Sequence, residues 1–251
     1  MINKLDLSAK ASVIRKKLGE DESSPIHIFT LVQSIASLTL VFYPLGRNIS
    51  GACFRCPSSA VIAVNSGMSV GRQRYTLAHE LYHLYFDKEL SSTVCSSKFD
   101  IKSETEQCAN QFASYFLIPP AALFERIQRC AQKAGVGLSM SDIIRMEQYF
   151  GVSHQAMLIR LQDEGYLTSA QAESMQAGVI ACASRLGYDV SLYKPSPEDK
   201  NIRVLGHYIC QADRLLQAKI ISAGKYEEFL LDAFRDDIVF GEDSEAGCMI
   251  D

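Results

Sequence analysis

The chain lacks the surplus of basic residues that marks many nucleic-acid-binding proteins. Lys and Arg total 25 against 29 Asp and Glu, which gives a formal net charge of −4. Proteins that bind nucleic acids generally carry clustered positive charge, because they neutralise phosphates. Direct nucleic-acid binding is therefore disfavoured. The sequence also contains no internal repeat and no low-complexity tract.

The sequence has no uninterrupted apolar run that is long enough to cross a membrane. Its most apolar stretch, residues 26–45, is broken by polar side chains and is typical of a buried helix followed by a strand. These polar residues are Thr30, Gln33, Ser34, Ser37 and Thr39. Residues 1–17 are polar and amphipathic, without the apolar segment of a secretory signal peptide. We therefore expect a cytoplasmic protein that does not contact a membrane.

The eight cysteines do not form a disulfide pattern. They are scattered along the chain, and only Cys53 and Cys56 have the CxxC spacing of a ligand pair or a redox pair. A single CxxC without a second pair indicates a metal site only weakly, and disulfides are not expected without a secretory signal. We interpret the cysteines as reduced thiols that mostly fill small core positions. A redox pair between Cys53 and Cys56 stays open.

Histidine is scarce, yet two of the five histidines, His79 and His83, are four residues apart. At that spacing on a helix both imidazoles lie on one face, one turn apart, and can reach the same cation. Glu80 projects from nearly the same face and can hold a water molecule against that cation. Two nitrogen ligands, an open position and a carboxylate base are what a zinc peptidase requires. We predict that His79 and His83 bind zinc and that Glu80 is the catalytic base.

The residues around this motif have helical periodicity. An apolar stripe recurs at spacings of four, seven and eight residues, while the histidines fall mostly on the opposite side. The stripe consists of Leu77, Leu81, Leu84 and Tyr85. Such a helix can bury one face in a core and turn the histidines toward a cleft. The alternative, that His79 and His83 are ordinary core or surface histidines, does not account for Glu80 on the same face.

A tetrahedral site needs a third protein ligand, and Glu106 is the best candidate. It lies in a second predicted helix, residues 103–117, where Asn110 follows one turn later and can hydrogen-bond a ligating group from behind. Asp87 is too close to His83 along the same helix to reach the metal. We therefore expect Asp87 to be a further hydrogen-bond acceptor behind the ligands.

Glu106 also has a competing role. Ser103 and Glu106 match a capping box, in which the carboxylate would bond to the start of its own helix and be lost to the metal. In that case Glu104 is the next candidate, and a site with neither glutamate stays open as well. The metzincin pattern would place the ligand at Glu89, but it requires glycine where Phe86 stands, so we reject it.

Three stretches of the chain together resemble one known family. Residues 72–83 read RQRYTLAHELYH, and residues 106–119 carry the pattern ExxANxFAxxFLIP. A less specific third stretch combines FGVS at 150–153 with RL at 160–161 and GYL at 165–167. Through these motifs, residues 26–163 resemble the ImmA/IrrE family of metallo-endopeptidases.

The resemblance implies a zincin-like minimal peptidase, with zinc on His79, His83 and a downstream glutamate, and with Glu80 as the base. It also implies a protein substrate, typically a helix-turn-helix repressor that is cut to relieve repression. Tyr82 stands where many members carry glycine, so we expect a more occluded cleft. The competing function is a non-catalytic regulator that binds such a partner through the same scaffold, although pure binding has no use for Glu80.

We expect an α+β fold that is mostly helical, with a small sheet of about three strands packed on the active-site helix. The predicted strands cover residues 38–43, 50–55 and 60–65. Of these, 50–55 is the expected edge to which an extended substrate could add. The polar, serine-rich segment 89–100 is predicted to be a mobile loop over the cleft.

Three parts are predicted along the chain: a zincin-like peptidase domain at 1–140, a helix-turn-helix-like segment at 141–167 and a helical C-terminal extension at 168–251. The middle segment carries Arg145 and Arg160 against four acidic residues, so packing or protein docking is favoured over DNA contact. The acidic residues are Asp142, Glu147, Asp163 and Glu164. His154 follows a predicted helix cap at Ser153 and, as a lone exposed histidine, is not a predicted ligand.

Overall fold

A mixed sheet and the helices packed on it form the fold, in agreement with the predicted α+β class. The computed structural model describes residues 3–87, 92–96, 103–134 and 137–241. The strands are β1 (Leu38–Tyr43), β2 (Ile49–Arg55), β3 (Ala60–Asn65), β4 (Ser92–Ser96) and β5 (Arg203–Gly206). The first helices are α1 (Lys4–Lys17), α2 (Ile28–Gln33), α3 (Val70–Phe86), α4 (Glu104–Leu117) and α5 (Pro120–Ala134). The later helices are α6 (Met140–Phe150), α7 (His154–Asp163), α8 (Ser169–Ser174), α9 (Val179–Arg185), α10 (His207–Gln217), α11 (Ala223–Asp232) and α12 (Asp236–Val239).

The five strands lie in the order β4-β2-β3-β1-β5. β1 and β3 are parallel, whereas the pairs β2–β3, β2–β4 and β1–β5 are antiparallel. The three predicted strands are found where the sequence places them, and β4 and β5 extend the sheet at its two edges. None of the described helices is both long enough and apolar enough to span a membrane.

β4 corrects two expectations about the sheet. Residues 92–96 form a strand within the segment 89–100 that was predicted to be a loop, and the rest of that segment lies outside the described residues. β4 pairs with β2 from Ile49 to Phe54, so β2 is an interior strand. The edge to which an extended chain could add is therefore β4 and not residues 50–55.

The C-terminal region, predicted to be helical, contributes β5 to the opposite edge. Val204 and Leu205 pair with Val41 and Leu40 of β1. The chain then turns at Gly206, which has a φ of 83° and lies so close to β1 that a Cβ atom would stand 2.6 Å from the Leu38 carbonyl oxygen. Only glycine adopts this conformation without strain and leaves room for that contact.

The C-terminal region also holds the start of α3. The Val70 N–H donates to the Lys194 carbonyl at 2.8 Å. The side-chain amide of Gln73 lies 3.1 Å from Ser196 Oγ and donates to the Met68 carbonyl at 2.7 Å. The Val70 bond satisfies a backbone donor at the helix N-terminus, and the contact of Gln73 with Ser196 ties the first turn of this helix to the C-terminal region.

The helix-turn-helix-like segment is packed against α3. Gly151 ends α6 in the left-handed region at a φ of 66°, and Ser153 Oγ accepts the Ala156 N–H to start α7, as predicted. The backbone of Ser153 comes so close to Gly71 of α3 that a Cβ atom at residue 71 would lie 2.7 Å from Ser153 N. This direct backbone approach supports the predicted packing role.

Two charged residues of this segment are buried, which corrects the argument from its charge. Arg160 is 1% exposed and Glu147 is fully buried. Glu147 Oε1 lies 2.6 Å from His154 Nδ1, and Glu147 Oε2 accepts a hydrogen bond from Tyr193 at 2.9 Å. His154 Nε2 is 2.9 Å from the Met175 carbonyl. His154 is therefore part of an interior network and not an exposed histidine, because the C-terminal region covers this face.

Candidate metal centre

α3 brings His79 and His83 together as the helical spacing predicts. Their Nε2 atoms lie 3.2 Å apart, and the two residues are only 6% and 3% exposed. Leu77 and Leu81 of the apolar stripe are fully buried in the core on the same helix. The core contacts therefore hold α3 in place, and two imidazole nitrogens converge on one point.

α4 brings the carboxylate of Glu106 to the same point. Glu106 Oε2 lies 3.2 Å from His79 Nε2, and Oε1 lies 3.2 Å from His83 Nε2. The Glu106 N–H donates to Ser103 Oγ at 3.4 Å, but the carboxylate turns toward the histidines and does not close a capping box. Glu104 is exposed and lies outside this cluster.

The contact between Glu106 and the two histidines changes the pKa values of Glu106 and His83. Burial alone would raise the pKa of Glu106, but its hydrogen bonds with His79 and His83 hold that pKa well below its ordinary value. Burial alone would lower the pKa of His83, whereas the contacts with Glu106 and the charge of Glu80 raise it. Glu106 and Glu80 thus favour the charged form of His83.

The outer nitrogens of both histidines are held by the two residues predicted for that role. Asn110 Oδ1 lies 3.0 Å from His79 Nδ1, and Asp87 Oδ2 lies 3.3 Å from His83 Nδ1. An acceptor at Nδ1 favours the tautomer that carries its proton there, which leaves Nε2 free to bind a metal. Tyr75 in turn donates its hydroxyl to the Asn110 carbonyl at 2.7 Å and links α3 to α4.

Glu80 is fully buried beside this cluster. Neither of its carboxylate oxygens has a hydrogen-bond partner of standard geometry among the described residues, although the weakly donating Cys95 thiol lies beside it. Burial raises the pKa of Glu80, against the charge of His79. A carboxylate with a raised pKa is suited to accept a proton near neutral pH.

Gly51 on β2 makes the space that Glu80 occupies. A Cβ atom at this position would lie 3.0 Å from Glu80 Oε1, 2.6 Å from Thr76 Cγ2 and 2.9 Å from the Ala63 carbonyl oxygen. Any larger residue would therefore displace either α3 or the Glu80 carboxylate. The sequence motif gives no sign of this dependence, because Gly51 precedes it by 28 residues.

Cys95 is the site residue that sequence reasoning missed. Its Sγ atom and one ligand atom from each of His79, His83 and Glu106 all lie within 4.8 Å of one another. Cys95 is 2% exposed, and burial raises the pKa of its thiol. The sequence predicts a reduced thiol within a loop at this position, since nothing in its spacing from His83 indicates the pairing of β4 with β2.

The donor set suits a zinc-like transition metal. Two imidazole nitrogens and a carboxylate oxygen are the donors of many catalytic zinc sites, and a thiolate is a further zinc donor. A fully buried carboxylate such as Glu80, which has only the weakly donating Cys95 thiol beside it among the described residues, is costly unless a cation or a water molecule faces it. The residues present therefore fit a bound metal ion.

Arg55 at the end of β2 holds the C-terminal turn of α3. Its guanidinium donates to the carbonyls of His83 at 2.7 Å and of Asp87 at 3.1 Å, and also to that of Leu84. The His83 carbonyl also accepts the Asp87 N–H at 3.3 Å, so Arg55 adds a second donor at the last turn, and a cation at this end complements the helix dipole. Tyr82, which we expected to occlude the cleft, packs its ring against Phe112 on the flank toward α4.

Comparison with protein-family models matches residues 39–162 to Peptidase_M78, described as the IrrE N-terminal-like domain. The matched range runs from β1 into α7 and contains every residue of the cluster. It also includes most of the helix-turn-helix-like segment. No curated protein matches the chain.

Proposed function

The chain belongs to the ImmA/IrrE family of peptidases through the IrrE N-terminal-like domain at residues 39–162, and on this premise we propose that it is a zinc-dependent endopeptidase. The family supports a metallopeptidase with a protein substrate. The finer proposal is that zinc is the metal, that one specific protein is the substrate and that His79, His83 and Glu106 are the ligands.

One observation carries this proposal. The Nε2 atom of each α3 histidine lies 3.2 Å from one oxygen of Glu106, and the buried carboxylate of Glu80 lies beside them. Two nitrogen donors, one oxygen donor and a separate buried base are the parts of a hydrolytic zinc site. A site that only stabilises the fold would not need the fourth group.

Each residue has a distinct part in the proposed mechanism. His79, His83 and Glu106 would hold the metal, and Asn110 and Asp87 would orient the two imidazoles. Zinc bound there would supply Lewis acidity, which makes water nucleophilic near neutral pH and polarises the scissile carbonyl. Glu80 would accept the proton of the attacking water and deliver it to the leaving amine.

An extended substrate has a place to bind at β4. This strand ends the sheet on the side of the cluster and exposes Val94, which is 60% accessible. Backbone pairing along such an edge gives affinity, and side-chain pockets give specificity. We propose that a peptide segment of the substrate pairs with β4 and is thereby held next to the metal ligands.

We further propose that the substrate is a helix-turn-helix transcriptional repressor and that cleavage relieves repression in the cytoplasm. This part is supported by the family resemblance of the motifs at 72–83 and 106–119. The net charge of −4 favours a protein partner over direct nucleic-acid binding. The second candidate function is a regulator that binds the repressor without cutting it.

The Glu80→Gln variant separates these two functions. The amide keeps the shape of the side chain but cannot accept a proton, so we expect retained zinc and retained partner binding, with cleavage slowed by a factor on the order of 10² or more. The measurement is cleavage of the repressor under single-turnover conditions, with zinc content determined in parallel. Glu104→Gln is the matched control, because Glu104 is an exposed glutamate at the start of α4. If the Glu80→Gln protein relieves repression as well as the wild type, the non-catalytic regulator replaces the peptidase.

A further inference from the structure

Cys95 is positioned as a metal donor by the pairing of β4 with β2. It stands directly opposite Gly51, which has no side chain, and both residues lie on the side of the sheet where Glu80 is found. The Ser50 hydroxyl donates to the Cys95 carbonyl at 3.3 Å and helps to fix this register. The thiol is consequently buried at the cluster, within 4.8 Å of donor atoms of His79, His83 and Glu106.

A second observation is the buried carboxylate that lies beside this thiol. Glu80 is fully buried, lies beside Cys95, and neither of its carboxylate oxygens has a hydrogen-bond partner of standard geometry among the described residues. The thiol therefore shares its surroundings with the base and with all three of the proposed metal ligands. A cysteine that only filled the core would be surrounded by apolar groups.

We propose that Cys95 is a fourth donor to the metal and that its coordination holds the peptidase in a latent state. The proposal deepens the proposed function, on which it rests for the identity of the metal. A catalytic zinc site keeps one position open for water, whereas a site with four protein donors is closed. With Cys95 in the fourth position, the attacking water and the scissile carbonyl are both excluded.

The chemistry of this state is a ligand exchange without oxidation. Cys95 gives up its thiol proton to solvent when its sulfur binds the metal as a thiolate. Activation reverses this step, since the thiolate leaves, takes up a proton and gives its position to water. No oxidant or other co-reactant is required.

The location of Cys95 on an edge strand gives the exchange a trigger. In the described part of the sheet β4 pairs with β2 alone, so it can shift without breaking a second ladder. A substrate segment that pairs with the outer edge of β4 would shift this strand and, with it, the Cys95 thiol that blocks the metal. The peptidase would then be opened by the substrate that docks on it, and generic unfolded proteins would be cut poorly.

Cobalt substitution tests the coordination directly. A thiolate bound to Co²⁺ gives an intense charge-transfer absorption in the near ultraviolet, which imidazole and carboxylate ligands do not give. We expect this band in the cobalt-loaded wild type and its loss in Cys95→Ser. Cys53→Ala is the matched control, because Cys53 is a buried cysteine on the adjacent strand but is not one of the clustered donors. The control should keep the band.

Zinc affinity and cleavage supply independent measurements. Loss of the sulfur donor should weaken zinc binding by at least about tenfold in chelator competition. In fully zinc-loaded protein, Cys95→Ser should cut a generic substrate such as casein faster than the wild type does. A wild type that binds one cobalt ion without the band, or a band that persists in Cys95→Ser, overturns the latent state and leaves the peptidase intact. A wild type that binds no metal overturns both proposals.

Discussion

Asn110 and His79 are joined across two helices, with Asn110 Oδ1 3.0 Å from His79 Nδ1. Asn110 lies one turn after Glu106 on α4, so a single helix supplies both a metal donor and the group that orients another. The contact turns Nε2 of His79 toward Glu106 and His83. The metal site is therefore a property of the α3–α4 pair and not of the histidine motif alone.

The first prediction concerns this contact. Asn110→Ala removes the acceptor at His79 Nδ1, so the imidazole loses its preferred tautomer and orientation. We expect zinc affinity to fall by about 10-fold to 100-fold, as is typical when a hydrogen-bond partner of a ligating histidine is removed. Asn110→Asp keeps an acceptor of nearly the same shape and should retain most of the affinity. Equal affinities of Asn110→Ala and wild type in chelator competition would contradict the role of Asn110.

The second prediction concerns the space that Gly51 leaves for Glu80. In Gly51→Ala the new methyl group would meet Thr76, the Ala63 carbonyl and the Glu80 carboxylate at once. Overpacking of this kind costs about 1–3 kcal/mol, and it also displaces the base. We expect kcat to fall more than zinc affinity does. The control is Gly224→Ala on α11, where a Cβ atom meets nothing within 4 Å, and where stability should rise slightly.

The third prediction concerns the end of α3. Arg55→Met removes a guanidinium that donates to the carbonyls of His83, Leu84 and Asp87. A hydrogen bond from a charged group contributes about 1.5–3 kcal/mol to the free energy of unfolding. The turn that loses these bonds carries His83, a proposed metal ligand. Unfolding in urea should therefore show a loss of stability of that order, and zinc affinity should fall with it. Arg47→Met, at an exposed position, should change stability by no more than about 0.5 kcal/mol.

More of the candidate site than of the fold could be predicted from the sequence, because helical spacing relates residues that are close together in the chain. His79, Glu80 and His83 are placed by one helical turn, and Glu106 and Asn110 by another, so their faces follow from the sequence. β4 and β5 are only five and four residues long, and such strands exist because a neighbouring strand pairs with them. Cys95 was missed for the same reason. Its position depends on the register with Gly51, which is a tertiary contact.

Buried charges were the other failure of prediction. Glu147 and Arg160 are charged residues on helices, which is typical of a solvated surface. No local sequence pattern shows that other elements cover them. Glu147 is covered by His154 from α7 and by Tyr193 from the C-terminal region. Buried polar residues satisfy each other through partners that are distant in sequence, so their burial can be identified only once the fold is known.

The last prediction concerns the pair of Glu147 and His154. Burial alone would lower the pKa of His154, but the hydrogen bond and the charge of Glu147 raise it above its ordinary value. A raised pKa in the folded state contributes stability that is complete below the pKa of the unfolded chain, about 6.5, and is lost as pH rises through the folded value. Tyr193, the other partner of Glu147, has a raised pKa through burial and stays protonated in this range.

In the His154→Ala variant, Glu147 stays buried and the Tyr193 hydroxyl is its remaining side-chain partner among the described residues. Breaking a buried pair in this way should cost about 3 kcal/mol near pH 6, measured by urea unfolding of metal-free protein. The gap between wild type and variant should narrow at pH 9, because neutral His154 stabilises the Glu147 carboxylate less than the charged form does. The cluster of His79, His83 and Glu106 is the same in both proteins, so its contribution cancels in this difference. The exposed His27 provides the control, and His27→Ala should show neither the loss nor the pH dependence. A gap of equal size at both pH values would show that His154 stabilises the fold by packing alone.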